Sequence, residues 1–341
     1  MNTYDKNINN FFLYWLITSL TLVFIIIIVG GLTRLTNSGL SITEWELFKG
    51  ILPPLDNLSW EFYFNQYKEI PQYKLLNQNM TLGEFKIIFY WEYFHRILAR
   101  IIGLFFLIPL IYFNFTKKID KKYLSICNLV FILILLQGIV GWYMVKSGLV
   151  NNVSVSHYRL SIHLIIAVTI ISTIFWVIKN FINKSSKIFF KITKRNIPFL
   201  ILILLIFIQI IIGAFVSGLD AGRIYQTWPL MGHSYLPNDL IFNGLTNFIN
   251  FNNHSLVQFY HRNLAYMITF YILLLGYFIF QKKLKNLFKP LKLVILFLIL
   301  QIILGIFTLI SGLNIYLASA HQISSLLLVF SSINLYYLRA K

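Results

Sequence analysis

The sequence predicts an all-α polytopic membrane protein of eight transmembrane helices, arranged as two tandem parallel four-helix bundles. Three observations carry that expectation. Of 341 residues, 58% are hydrophobic and only 12% charged, a balance too apolar for a water-soluble domain. The apolar residues are gathered in runs of about 20, the length that crosses a hydrocarbon core. The second half of the chain also repeats the residue pattern of the first.

Along the chain, spans are expected near 13–34, 88–113, 123–146, 158–180, 197–218, 257–281, 289–312 and 315–338. The first twelve residues carry one Lys and no Arg, and no small-residue cleavage signal follows the first run. It therefore reads as a retained helix in a bacterial inner membrane rather than a transit or signal peptide. Basic residues fill alternate loops: Lys117, Lys118, Lys121 and Lys122; then Lys184, Lys187, Lys191, Lys194 and Arg195; then Lys282, Lys283, Lys285, Lys289 and Lys292; with Arg339 and Lys341 at the end. By the positive-inside rule these segments and both termini are cytoplasmic, and the long 35–87 and 219–256 loops face outward. That topology accounts for the net charge of +18 and excludes nucleic acid as its explanation. Cys127 is the only cysteine. It lies inside the third span, so neither an intrachain disulfide nor a thiolate metal site is expected.

The repeat sets residues 1–180 against 181–341. Gly30, Gly39 and Trp45 match Gly213, Gly222 and Trp228 at one constant offset. His95-Arg96 matches His261-Arg262, and Leu136-Gln137 through Gly141 matches Leu300-Gln301 through Gly305. Tyr158-x-x-Ser161-x-His163 matches Tyr316-x-x-Ser319-x-His321. Four helices per half is an even number, so both halves share one orientation, as parallel repeats do.

Four of the seven histidines occupy these matched positions, near the outer ends of spans. Ionisable side chains inside the membrane mark functional sites by default. The repeat selects His163 over His157, and six residues is about 240° of helix, so those two cannot share a face. Within each half the histidines begin the second and fourth helices, at similar depth. His95 with His163, and His261 with His321, can thus approach a common centre, as bundle-core cofactor sites do. Imidazole without nearby cysteine or clustered carboxylates suits heme iron better than structural zinc. Arg96 and Arg262 follow the first histidine of each pair, and Arg34, Arg100, Arg159 and Arg223 lie near the same face; guanidinium is the natural partner of heme propionates. His233 and His254 have no matched counterparts and read as loop residues. The halves differ at one telling position. Glu92 stands three residues before His95, on the same helix face, whereas Gln258 precedes His261. A carboxylate titrates and an amide does not, so the first pair is expected to react and the second to transfer electrons.

Several segments resemble the heme A synthase family. They are Gly30-Gly31-Leu32-Thr33-Arg34-Leu35-Thr36-x-Ser38-Gly39-Leu40-Ser41, Pro53-Pro54-Leu55, Glu84-Phe85-Lys86, Glu92-Tyr93-x-His95-Arg96 and Tyr158-Arg159-Leu160-x-x-His163-Leu164, with Gly218-Leu219-x-Ala221-Gly222, Thr227-Trp228-Pro229-Leu230-Met231 and Phe259-x-His261-Arg262. The likeness spans nearly the whole chain. It is nearest to the branch shared by alphaproteobacteria and mitochondria, whose first outer loop lacks a cysteine pair. Ala99, Ser217 and Gln226 depart from the residues usual in the family without removing a candidate ligand.

The resemblance implies oxidation of the C8 methyl of heme O, through hydroxylated intermediates, to the formyl group of heme A for cytochrome oxidase assembly. It implies that His95 and His163 face the substrate heme O with Glu92 catalytic, and that His261 and His321 ligate a resident heme b. Delivery by a heme O synthase, an electron donor that the sequence does not name, surrounding membrane lipid and a homo-oligomer are compatible with it. Two other classes fit parts of the pattern. A diheme cytochrome b-type electron-transfer protein would hold both hemes permanently. A transporter would need a polar path through the inner halves of the spans, which are almost purely apolar.

Overall fold

The computed structural model describes residues 3–44, 49–151, 153–240 and 244–340. Trp45, matched in sequence with Trp228, and Lys341 lie outside the described residues. The helices are α1 (Thr3–Leu35), α2 (Asn57–Lys68), α3 (Pro71–Leu76), α4 (Leu82–Thr116), α5 (Lys121–Asn151), α6 (His157–Ile182), α7 (Ile197–Gly218), the one-turn α8 (Leu245–Phe248), α9 (His254–Gln281), α10 (Phe288–Ile310) and α11 (Ile315–Arg339). Among the described residues eight of them, α1, α4, α5, α6, α7, α9, α10 and α11, are long and apolar enough to cross a membrane.

Two compact units divide at Ile174 and Phe175. The first contains α1, α4, α5 and most of α6, and in it α4 packs on both α1 and α5. In the second, contacts run from α7 to α9, α9 to α10, α10 to α11 and back to α7. Each expected span corresponds to one of these helices, but several helices start earlier than hydropathy indicates. The helix α4 begins at Leu82 rather than near 88, because Thr81 and Glu84 form a capping box: the Glu84 carboxylate accepts the Thr81 N–H at 2.8 Å, and the Thr81 hydroxyl accepts the Glu84 N–H at 3.3 Å. Likewise the Asn253 side chain accepts the Leu256 N–H at 3.0 Å and starts α9 at His254 rather than near 257. Hydropathy marks the crossing of the hydrocarbon, whereas polar capping groups outside it set where the helix starts.

The first long loop folds on the start of α4. Trp60, Phe64 and Tyr67, spaced along one face of α2, pack with Leu40, Ile70, Phe85 and Phe89 in a buried aromatic cluster. The Phe64–Phe85 and Trp60–Phe89 ring centroids are both 5.0 Å apart. Fully burying a large apolar side chain stabilises by about 1.5–3 kcal/mol, so this cluster fixes the loop firmly. Tyr67 Oη donates to Gln72 Oε1 at 3.0 Å, and Gln72 Nε2 donates to the Asn37 carbonyl at 3.0 Å, tying the cluster to the end of α1. The result holds residues 38–44 against α4, where Glu92 lies.

Candidate functional site

The four matched histidines meet in two pairs. His95 on α4 and His163 on α6 have ring centroids 6.5 Å apart with planes at 62°. His261 on α9 and His321 on α11 repeat the separation of 6.5 Å, with planes at 79°. Two metal–nitrogen bonds of about 2 Å each, plus the half-widths of two rings, add to about 6 Å, so each gap accepts one metal ion between the imidazoles. Among the described residues no group of three or more His, Cys, Asp or Glu could hold a metal ion. A metal held by two imidazoles alone must bring its remaining ligands with it, as heme iron does.

Each ring is seated against a glycine of a neighbouring helix. A Cβ at Gly30 would lie 3.0 Å from His95 Cε1, at Gly141 3.0 Å from His163 Cε1, at Gly213 3.1 Å from His261 Cε1, and at Gly305 3.1 Å from His321 Cε1. These contacts are closer than the roughly 3.5–4.0 Å at which carbon atoms rest, so any side chain there would displace the imidazole. In all four rings Nδ1 is buried without a hydrogen-bond partner and lies nearer the glycine than Nε2 does. Cε1, between the two ring nitrogens, is the atom nearest the glycine in every ring. The repeat marks these glycines as matched positions but assigns them no task. Their only signal is the match itself, because the contact joins different helices.

His157 opens α6, is buried, and lies against Tyr158 with ring centroids 4.1 Å apart and planes tilted by 39°. His233 and His254 are exposed. Cys127 is buried and free.

Glu92 is buried, with 3% of its surface exposed. Its Oε2 accepts the Ser41 hydroxyl at 2.8 Å and the Ile42 N–H at 2.9 Å, and its Oε1 accepts Arg96 Nε at 3.0 Å. Arg96 also donates to the carbonyls of Ile42 at 3.0 Å and Glu44 at 3.4 Å. In the second unit, Gln258 Nε2 donates to the Tyr225 carbonyl at 2.7 Å, and Arg262 Nη2 to the Thr227 carbonyl at 2.6 Å. Positions 42 and 225, and 44 and 227, are related by the same offset as Gly30 and Gly213. Both halves therefore clamp the same loop positions with the same helix positions. The polarity differs: a carboxylate accepts a backbone N–H in the first half, and an amide donates to a backbone carbonyl in the second.

The arginines are mostly engaged by protein. Arg34 Nη1 donates to Asn37 Oδ1 at 2.9 Å, and Arg159 bonds Ser147 Oγ and lies 4.7 Å over the Tyr143 ring. Arg96 and Arg100 line one small recess with Ile42, Glu44, Tyr63 and Tyr93. Arg262 keeps a buried Nη1 without a hydrogen-bond partner. In the second long loop, Asp239 accepts Tyr225 Oη and Ser255 Oγ, each at 2.6 Å. Burial raises the Asp239 carboxyl, but the hydrogen bonds from Ser255 and Tyr225 outweigh it and hold the group below the usual carboxylate range.

A family model described as cytochrome oxidase assembly protein matches residues 13–333. The heme A synthase of Pelagibacter ubique is 49% identical over 328 residues, covering 95% of this chain and 96% of that one. The heme A synthase of Parvibaculum lavamentivorans is 44% identical over 260 residues, covering 75% and 74%, and that of Rickettsia bellii 41% over 328 residues, covering 92% and 94%. The chain belongs to the heme A synthase family. The matched span of this heme A synthase family member includes Glu92, all four paired histidines and the four glycines that seat them.

Proposed function

We propose that this chain oxidises the C8 methyl group of heme O to the formyl group of heme A, for cytochrome oxidase assembly. The observation that carries the proposal is the repeated histidine pair, with a 6.5 Å ring separation in each half. Residues 1–180 form the substrate half and 181–341 the heme b half. His95 and His163 hold the substrate heme O; His261 and His321 hold heme b. When bound, heme b supplies one-electron transfer. Glu92 handles the proton at Oε2, beside the Ser41 hydroxyl, while Arg96 fixes Oε1. Arg262, whose Nη1 is buried without a hydrogen-bond partner, would be available to a heme propionate, whereas Arg96 already bonds Glu92.

The chain spans a bacterial inner membrane with both termini cytoplasmic and the histidine pairs toward the periplasmic side. Supporting this, the histidines sit in the first halves of α4, α6, α9 and α11, and lysine-rich segments follow the ends of α4, α6 and α9. Taking the methyl group to the formyl group is an oxidation, so the reaction needs an oxidant, accompanied by an electron donor where that oxidant is dioxygen, and a source of heme O, for which a heme O synthase is the chemically matched supplier.

Expression with a supply of heme O, followed by chromatography of extracted hemes, tests the proposal. Heme A should appear, and His95→Ala should abolish it. His261→Ala should remove the heme b spectrum. The equal spacing of the two pairs also fits a diheme electron-transfer protein, which would yield heme b and no new heme species.

A further inference from the structure

Among the described residues the second histidine pair is braced at its backbone and the first is not. Gln209 Nε2 on α7 donates to the His261 carbonyl on α9 at 3.0 Å. Gln301 Nε2 on α10 donates to the His321 carbonyl on α11 at 2.8 Å and also bonds Ser324, whose hydroxyl donates to the same carbonyl at 3.1 Å. A helical carbonyl has one lone pair taken by its own helix; these amides take the second and tie each histidine to the helix opposite. Gln209 and Gln301 each stand four residues before a seating glycine, Gly213 and Gly305. Each of those helices thus holds its histidine twice, at the backbone and at the ring.

The first half lacks this arrangement. Ile26 stands where Gln209 does relative to Gly30, and Ile166 stands where Ser324 does relative to the histidine. Gln137 precedes Gly141 by four residues, but among the described residues no bond from its amide reaches the His163 carbonyl. Hydrogen bonds between membrane helices resist separation because lipid offers the freed groups no replacement.

We propose that Gln209, Gln301 and Ser324 are positioning residues that make the second pair a permanent heme holder, and that their lack lets the first pair exchange its heme. This rests on the reading that the first pair takes substrate and the second a resident heme b. The test uses the full-length purified protein, challenged with excess apomyoglobin while heme transfer is followed by absorbance. The double variant Gln209→Leu with Gln301→Leu should lose heme b at least about fivefold faster than wild type, with an altered low-spin spectrum. Gln137→Leu should leave the heme b rate unchanged. Conversely, Ile26→Gln with Ile166→Ser, which removes no bond, should slow heme release from the first pair. Wild-type retention of heme b in the folded Gln209→Leu, Gln301→Leu variant, or unchanged release in the Ile26→Gln, Ile166→Ser variant, would overturn the proposal. If instead His261→Ala leaves the heme b spectrum intact, the underlying functional reading fails.

Discussion

Replacing Gly141 by alanine adds one methyl group where the structure leaves no room for it. The new Cβ would lie 3.0 Å from His163 Cε1, against a resting carbon–carbon separation of about 3.5–4.0 Å. The imidazole must therefore retreat by about 0.5–1 Å. Overpacking of this kind costs about 1–3 kcal/mol, partly offset by about 0.5–1 kcal/mol from replacing glycine in a helix. The larger effect is on geometry, since a misplacement of about 1 Å can lower a rate on the order of 100-fold. Gly138, one turn earlier on the same helix, has nothing within 4 Å of an added Cβ, and supplies the control. Gly141→Ala should lower the ratio of heme A to heme O in extracts by about tenfold or more, while Gly138→Ala converts normally. Equal conversion by both variants would refute the seating argument.

Gly213→Ala and Gly305→Ala should instead perturb the heme b spectrum, measured on purified protein. Glu92→Gln leaves Arg96 without its buried partner; removing one member of such a pair costs about 3–5 kcal/mol, so heme A formation and thermal stability should both fall, as chromatography and melting would record. Asp239→Asn should destabilise the second long loop near neutral pH. Because the folded Asp239 carboxyl is held low, its contribution is present above the unfolded value of about 3.9 and is lost as pH falls through the lower folded value. The difference in melting temperature between wild type and variant should therefore shrink in acid.

The eight spans are legible in the sequence because each depends on local composition: a run of about 20 apolar residues crosses a bilayer whatever its neighbours do. The repeat is legible for the same reason, and residue spacing within it is enough to single out His163 over His157. Helix starts are less so, since Thr81 and Glu84 lie outside the apolar run that marks α4. Glu92 is visible as a carboxylate near His95, but its four-way attachment to Ser41, Ile42 and Arg96 is not.

Membrane class, the duplicated frame and the choice of four histidines all follow from periodicity and residue type along the chain. The facing of the rings at 6.5 Å, their seating on glycines of neighbouring helices, and the glutamine braces on one pair alone do not. Those features join side chains on different helices. Their distances are set by how the helices pack, which no pattern along one helix encodes.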